Sequence, residues 1–279
     1  MNTETVTELK QKAMELRKTI LTMIHAAKSG HPGGALSMAD IVAALYFHEM
    51  NVDPKNPKWK DRDRFILSKG HACPVLYGAL ALKGYFDFEI IHTLRSEGSI
   101  LQGHPDMKKC PGVDISTGSL GQGLSCGVGM AIAAKRDKLP YRVFVMVGDG
   151  EAQEGQIWEA AQTASKYELD NLVVIIDDNG LQCDGCCDEI MPTLDLGKKF
   201  EAFGFEVVSI KGDDMEQILA AFDFIRSRSR SGKPKCIMAK TLKGRGVSFM
   251  EDVAEWHGMA PNDEQFAVAI ADVEKGLNQ

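Results

Sequence analysis

Residues 143–155 read VFVMVGDGEAQEG, in which an apolar run ends at a single aspartate between two glycines. The five apolar residues that open this stretch are typical of a strand buried on both faces, as in a parallel sheet. Asp149 is therefore predicted at the carboxyl end of that strand, the edge where open α/β sheets bind ligands. Gly148 and Gly150 leave space for a ligand to approach the backbone closely.

A second apolar stretch, NLVVIIDDNG at residues 171–180, ends in the same kind of polar residues, and Asn179 lies 30 positions after Asp149. One strand, one helix and a return strand take about 30 residues, so a right-handed crossover can bring both strand ends to one sheet edge. An Asp carboxylate, an Asn carbonyl and a nearby backbone carbonyl form a hard oxygen site suited to Mg²⁺ or Ca²⁺. The alternative is that Asp149 caps the following helix and Asn179 forms a turn.

Strands and helices alternate along the chain, which predicts an α/β fold: a parallel sheet with helices on both faces. The sequence pattern predicts helices at about 6–28, 37–50, 73–83, 122–138, 154–167 and 215–230, and strands within 65–72, 143–147, 171–179, 205–210 and 234–241. A glycine-rich loop over 98–123 separates two of these helices, and long loops inside compact domains are usually functional. We expect a single domain over residues 1–279, in which 251–279 form a closing loop and helix.

The composition excludes several classes of protein. With 32 basic and 39 acidic residues the net charge is −7, so no general attraction to nucleic acid or to anionic membranes is expected. The chain has no apolar run of about 18 residues and no signal peptide, which indicates a cytoplasmic protein. Seven cysteines, an odd number, favour reduced thiols over a disulfide framework.

One cysteine group, CDGCC, contains Cys183, Cys186 and Cys187. The spacing suggests zinc ligands, but no second pair of Cys or His follows at ligand distance. We interpret the group as thiols in a loop.

Three histidines follow a glycine within predicted loops: His31, His71 and His104. Imidazole is the side chain suited to moving protons near neutral pH, so three such steps favour a functional role over a structural one. The remaining histidines of the first hundred residues lie within apparent helices and are interpreted as structural. They are His25, His48 and His92.

Six motifs of this chain resemble, in the same order, those of the amino-terminal half of transketolases. They are SGHPGG (29–34), SKGHA (68–72), GHP (103–105), TGSLGQG (117–123), GDGEAQEGQIWEA (148–160) and DNLVVIIDDNGLQCDG (170–185). A lone GDG is weak evidence, whereas six ordered motifs exclude chance agreement. The chain is identified as a member of the transketolase family, which implies a thiamine diphosphate-binding fold.

The resemblance implies a role for each matching position. The divalent metal would be bound by Asp149, Asn179 and the backbone carbonyl of Leu181. The cofactor would contact Gly150 at its diphosphate, Gly118, Ser119 and Leu120 at its rings, and also His71, Asn179 and His257. The catalytic residues facing the substrate would be His31, His104 and His257. Many full-length transketolases have Pro at the position of Ser119, so the rigidity of this loop is expected to differ.

The implied reaction is transfer of a two-carbon ketol unit from a ketose phosphate to an aldose phosphate, with thiamine diphosphate and Mg²⁺ (or Ca²⁺). Full-length transketolases continue with a pyrimidine-binding domain and a further carboxyl-terminal domain, so the expected partner is a separate carboxyl-terminal transketolase subunit. Two copies of each chain are the expected assembly. The family also places Glu154 and Glu159 at a subunit interface, although both would equally suit the amino terminus of a helix.

Two alternatives remain open at this point. One is a split ketol transferase of the same family that acts on an unusual sugar phosphate. The other is a non-catalytic regulatory subunit that binds thiamine diphosphate. The four histidines disfavour the second, because a protein that only binds the cofactor has no use for all of them.

Overall fold

A parallel sheet of five strands organises residues 3–276, the part of the chain that this computed structural model describes. The strands are Arg64–Leu67 (β1), Val143–Gly148 (β2), Leu172–Asp178 (β3), Glu206–Lys211 (β4) and Lys235–Lys240 (β5). Their order in the sheet is β1-β2-β3-β5-β4, and every neighbouring pair is parallel. All five strands therefore end at the same edge, with β2 and β3 side by side.

Side chains of β2 alternate between two hydrophobic clusters. Phe144 and Met146 belong to the larger cluster, whereas Val145 and Val147 belong to the smaller one. All six β2 residues are buried, because each face of the strand is covered. The prediction that this strand is buried on both faces is confirmed.

Ten α-helices surround the sheet within the described residues. They are Thr3–Ala27 (α1), Pro32–Leu36 (α2), Ala39–Ala44 (α3), Cys73–Lys83 (α4), Gln122–Arg136 (α5), Gly155–Lys166 (α6), Cys187–Ile190 (α7), Leu196–Ala202 (α8), Met215–Ser227 (α9) and Asp263–Lys275 (α10). Helices α1, α3, α4 and α9 contribute to the larger cluster, and α5, α6 and α8 to the smaller one. The predicted α/β class, a parallel sheet with helices on both faces, is confirmed.

The helix predicted over 37–50 is found as α3 and, directly after it, a π-helical turn at Leu45–Glu49. The short helix α2 just before it was not predicted. Ser37 lies between α2 and α3, where its hydroxyl donates to the Gly34 carbonyl (3.2 Å) and to the Asp177 carboxylate of β3 (2.7 Å). The junction of the two helices is thus in contact with the sheet.

Two short helices between β3 and β4, α7 and α8, were not predicted. The loop before α5 contains no helix or strand, as expected. The closing segment comprises a 3₁₀ turn at Ala254–His257 and α10, which starts with a capping box at Asn262; residues 277–279 lie outside the described part. Within residues 3–276, no helix is long and apolar enough to cross a membrane.

Candidate functional site

Asp149 lies directly after β2, where the sequence predicts it, and is 3% exposed. One carboxylate oxygen accepts from the Gly150 amide (2.7 Å) and the other from the Gly180 amide (2.5 Å). Burial, followed by the nearby charge of Asp177, raises the pKa of Asp149 to about 6. A cation beside this carboxylate would relieve that cost.

Asn179 and Leu181 lie in the turn after β3, which the Gly180 amide ties to Asp149. The Asn179 side-chain oxygen accepts from the Leu181 amide (3.1 Å), and its amide group donates to Asp177 (3.0 Å). The predicted meeting of the two strand ends is confirmed, since Gly148 pairs with Asp177 in the sheet. We call Asp149, Asn179 and Leu181 together the oxygen edge.

Lys243 is a residue of this site that the sequence did not reveal. Its ammonium donates to the carbonyls of Leu181 (3.0 Å) and Gln182 (3.1 Å) and lies 2.9 Å from His257 Nδ1. The residue is 1% exposed, and burial, with the charge of Lys69 second, lowers its pKa to about 8. No pattern in the sequence predicts that the lysine after β5 is buried at the oxygen edge. Only the tertiary fold brings it there.

Below the oxygen edge lies a buried ion pair between Lys69 and Asp177. The Asp177 carboxylate also accepts from the hydroxyls of Ser37 and Thr241 and from the Asn179 amide. Burial by itself would raise the pKa of Asp177, but the Lys69 charge and these hydrogen bonds outweigh it, so the pKa lies below the usual value. Because the Asn179 side-chain nitrogen donates to Asp177, its side-chain oxygen points away from Asp177.

Three predicted histidines form a triangle of rings beside Lys243. The ring centroids of His31 and His71 are 5.1 Å apart, those of His31 and His257 5.6 Å, and those of His71 and His257 5.0 Å. Burial is the largest cause of the low pKa of each: about 4 for His31, about 2 for His71 and about 3 for His257. Neighbouring cations lower these values further, so all three imidazoles are neutral at pH 7.

His104 lies at the same site but nearer to solvent. Burial and the charge of Arg95 lower its pKa, and its own charge lowers that of His31. Its backbone carbonyl accepts from the buried Tyr77 hydroxyl (3.0 Å), which holds the loop against α4. Gly118 packs against its ring: a Cβ added there would lie 3.0 Å from His104 Cδ2, and φ of +149° disfavours any other residue.

Ser119 and Leu120, in the same loop, are exposed. The loop is anchored from below by Glu151, a buried carboxylate that accepts from the amides of Gly121 (2.9 Å) and Gly148 (3.1 Å) and from Ser68. Glu151 therefore ties the ends of β1 and β2 to this loop. This role was not predicted.

The oxygen edge offers a carboxylate, an amide oxygen and a backbone carbonyl within one turn. This donor set suits a hard divalent cation. The Leu181 carbonyl already interacts with one positive charge, because it accepts a hydrogen bond from the Lys243 ammonium. The pKa of Asp149 is raised because the nearby amides and Lys69 do not fully offset the cost of burying its charge. The residues present therefore fit a divalent metal ion.

Comparison with known proteins decides the family. Residues 9–276 match the family described as "Transketolase, thiamine diphosphate binding domain". The chain is 45% identical over 268 residues to the 6-deoxy-6-sulfo-D-fructose transketolase subunit SqwG of Clostridium sp. (strain MSTE9), covering 96% of this chain and 97% of that one. The chain belongs to the transketolase family.

Further relatives within the transketolase family fall into two size classes. An apulose-4-phosphate transketolase subunit of Phocaeicola vulgatus is 44% identical, with 94% of this chain and 92% of that protein covered. The transketolase from Leishmania mexicana superposes with a TM-score of 0.89 at 32% identity, covering 97% of this chain and 41% of that one. The chain thus spans about two fifths of that solved transketolase but nearly the whole of the named subunits.

The cysteine group lies beside the oxygen edge, in the hairpin that follows Leu181. Residues 181–186 form a tight hairpin, in which Leu181 bridges Cys186. Cys183 is exposed, whereas Cys187 is buried and its pKa is raised to about 12 by burial. Among residues 3–276, no group of three or more Cys, His, Asp or Glu side chains could hold a metal ion.

Proposed function

We propose that this chain is the amino-terminal subunit of a two-chain transketolase, which transfers a two-carbon ketol unit from a ketose phosphate to an aldose phosphate. The observation that carries the proposal is the triangle of neutral histidines beside the oxygen edge, joined to it by Lys243. A protein that only binds the cofactor needs the oxygen edge but not the triangle. This arrangement disfavours a purely regulatory subunit.

Asp149, Asn179 and the Leu181 carbonyl would hold Mg²⁺ or Ca²⁺, and the metal would offset the charge of a diphosphate next to Gly150. Lys243 adds a second cation at the same place. When bound, thiamine diphosphate supplies the electron sink for the transferred unit. The buried Lys69–Asp177 pair supports this arrangement, because it fixes the orientation of the Asn179 amide.

His31, His104 and His257 would act on the sugar by donating and accepting protons at its hydroxyl oxygens. Because their pKa values are lowered, each imidazole begins neutral, with one ring nitrogen that donates and one that accepts, and the tautomer determines which of them faces the sugar. His71 has the lowest pKa of the triangle, about 2, and its ring centroid lies within 5.1 Å of those of His31 and His257; we assign it to cofactor contact, as the family resemblance implies. Gly118, Ser119 and Leu120 would lie against the cofactor rings, since Gly118 packs against His104 and the next two residues are exposed.

Several exposed apolar side chains support a partner that covers the site. Within the described chain, six of the nine large exposed hydrophobic side chains lie near the site in sequence; they are Met107, Leu120, Ile190, Met191, Leu194 and Met259. We call this set the rim. We propose that these side chains contribute to an interface, and the partner that we propose for it is a carboxyl-terminal transketolase subunit. Glu154 and Glu159 are also exposed, as a place in the interface requires.

Two copies of each chain are the proposed assembly, because closed two-fold symmetry is the commonest arrangement in oligomers. A cytoplasmic location is proposed as well. All seven cysteines are free thiols, and reducing compartments preserve such thiols.

The names of the relatives favour one substrate alternative. One is named for 6-deoxy-6-sulfo-D-fructose and another for apulose 4-phosphate, neither of them a pentose phosphate pathway sugar. An unusual ketose carrying a phosphate or sulfonate is therefore the second candidate substrate class, within the same reaction.

The test is a coupled ketol-transfer assay on this chain, on a matching carboxyl-terminal subunit, and on their mixture. We expect no transfer by either chain alone and full transfer by the mixture with thiamine diphosphate and Mg²⁺. Light scattering on the mixture should give a mass of two copies of each chain. Full activity of this chain alone would overturn the two-chain proposal.

A further inference from the structure

Arg95 lies beside the histidine triangle without a carboxylate partner. Its guanidinium donates to the Ser29 hydroxyl (2.6 Å) and lies 3.3 Å from His31 Nδ1. Among residues 3–276, no aspartate or glutamate forms an ion pair with Arg95, in contrast to the buried pair of Arg17 and Asp40. Its charge is therefore directed at His31 rather than neutralised.

The backbone of Arg95 is held in an uncommon conformation. Its φ of +61° lies in the left-handed region, which a long side chain rarely adopts, and its amide donates to the Leu101 carbonyl (2.8 Å). Such backbone conformations persist where the surrounding structure determines them, and they cluster at functional sites. The side chain passes close to Gly103, where an added Cβ would lie 3.3 Å from Arg95 Nε.

A guanidinium can only donate hydrogen bonds, and it stays charged at every working pH. The nitrogen that it faces, His31 Nδ1, must therefore accept. In a neutral imidazole the proton is then on Nε2. The edge of the ring that carries Nε2 lies toward Gly258, where an added Cβ would be 3.5 Å from that atom.

We propose that Arg95 is a positioning residue that fixes His31 as the neutral Nε2–H tautomer, so that His31 presents a hydrogen-bond donor to the site. The low pKa of His31 agrees, because Arg95 is its largest cause after burial. The tautomer concerns this chain alone; only the kinetic part of the test rests on the proposed transketolase function.

Nitrogen-15 NMR of the full chain with labelled histidine tests the tautomer directly, and His31→Gln identifies the His31 signals. In the wild type we expect the pattern of a proton on Nε2. In Arg95→Met both tautomers should be populated and the titration midpoint of His31 should rise, whereas Arg95→Lys should restore the Nε2–H form. Arg136→Met, which removes an exposed arginine paired with Asp137, is the matched control and should change nothing.

A wild-type His31 with its proton on Nδ1 would overturn the proposal without any variant. So would an unchanged tautomer and midpoint in a folded Arg95→Met chain. In the assembled enzyme, Arg95→Met should lower kcat on the order of 10-fold and leave cofactor affinity unchanged. Failure of the wild-type assembly to transfer ketol units would contradict the proposed function and leave the NMR result intact.

Discussion

Asp149 on the oxygen edge is 3% exposed, whereas Leu120 on the rim is 37% exposed, although both belong to the same candidate site. The oxygen edge is held by backbone amides, by Lys243 and by the buried network of Asp177. Leu120, in contrast, is partly open to solvent. The difference agrees with the proposal that this chain preorganises the metal and diphosphate half of the site and that a partner completes the other half.

The largest expected effect is on the oxygen edge. Asp149→Ala should abolish metal-dependent binding of thiamine diphosphate in the assembled enzyme, a loss of at least about 100-fold, because it removes the carboxylate among the three proposed metal ligands. Calorimetry with cofactor and Mg²⁺ measures the affinity, and circular dichroism should show an unchanged fold. Asp178→Asn, at the last residue of β3, is the control and should bind normally. Unchanged affinity in Asp149→Ala would remove the metal assignment.

Histidine variants give the next effect and separate proton transfer from cofactor binding. His31→Ala and His104→Ala should fold and bind the cofactor, but kcat should fall on the order of 100-fold, as for groups that act mainly in the transition state. Steady-state kinetics with calorimetry on the same samples makes the separation. His92→Ala, which changes an exposed histidine of a 3₁₀ turn, should have normal kcat. Near-normal kcat in both site variants would return them to a structural role.

The smallest effect is expected on the rim. Leu120→Ser should weaken association with the carboxyl-terminal subunit about 5-fold, the value of about 1 kcal/mol of buried apolar surface, while the isolated chain keeps its stability. Titration of one subunit into the other, followed by light scattering, measures this. Tyr167→Ser, at the far end of α6 and 55% exposed, should associate normally. Equal association of all three proteins would place the interface elsewhere.

Local sequence patterns predicted the parts of the site that follow strands. The apolar runs of β2 and β3 identified both strands, and their polar ends identified Asp149 and Asn179. The same reasoning missed α2, whose carboxyl-terminal cap is Ser37. That residue bonds to Asp177, which lies 140 residues later in the chain, and such a contact leaves no local pattern.

The sequence by itself determined the α/β class, the two strand ends and the histidine loops, because each depends on periodicity or on residues within one short motif. Only the tertiary structure decided which side chains meet there. Lys243 reaches the Leu181 carbonyl from 62 residues away, and Arg95 reaches His31 from 64 residues away. A buried cation leaves no local pattern, since its position is determined by the charges and lone pairs that the folded chain places around it.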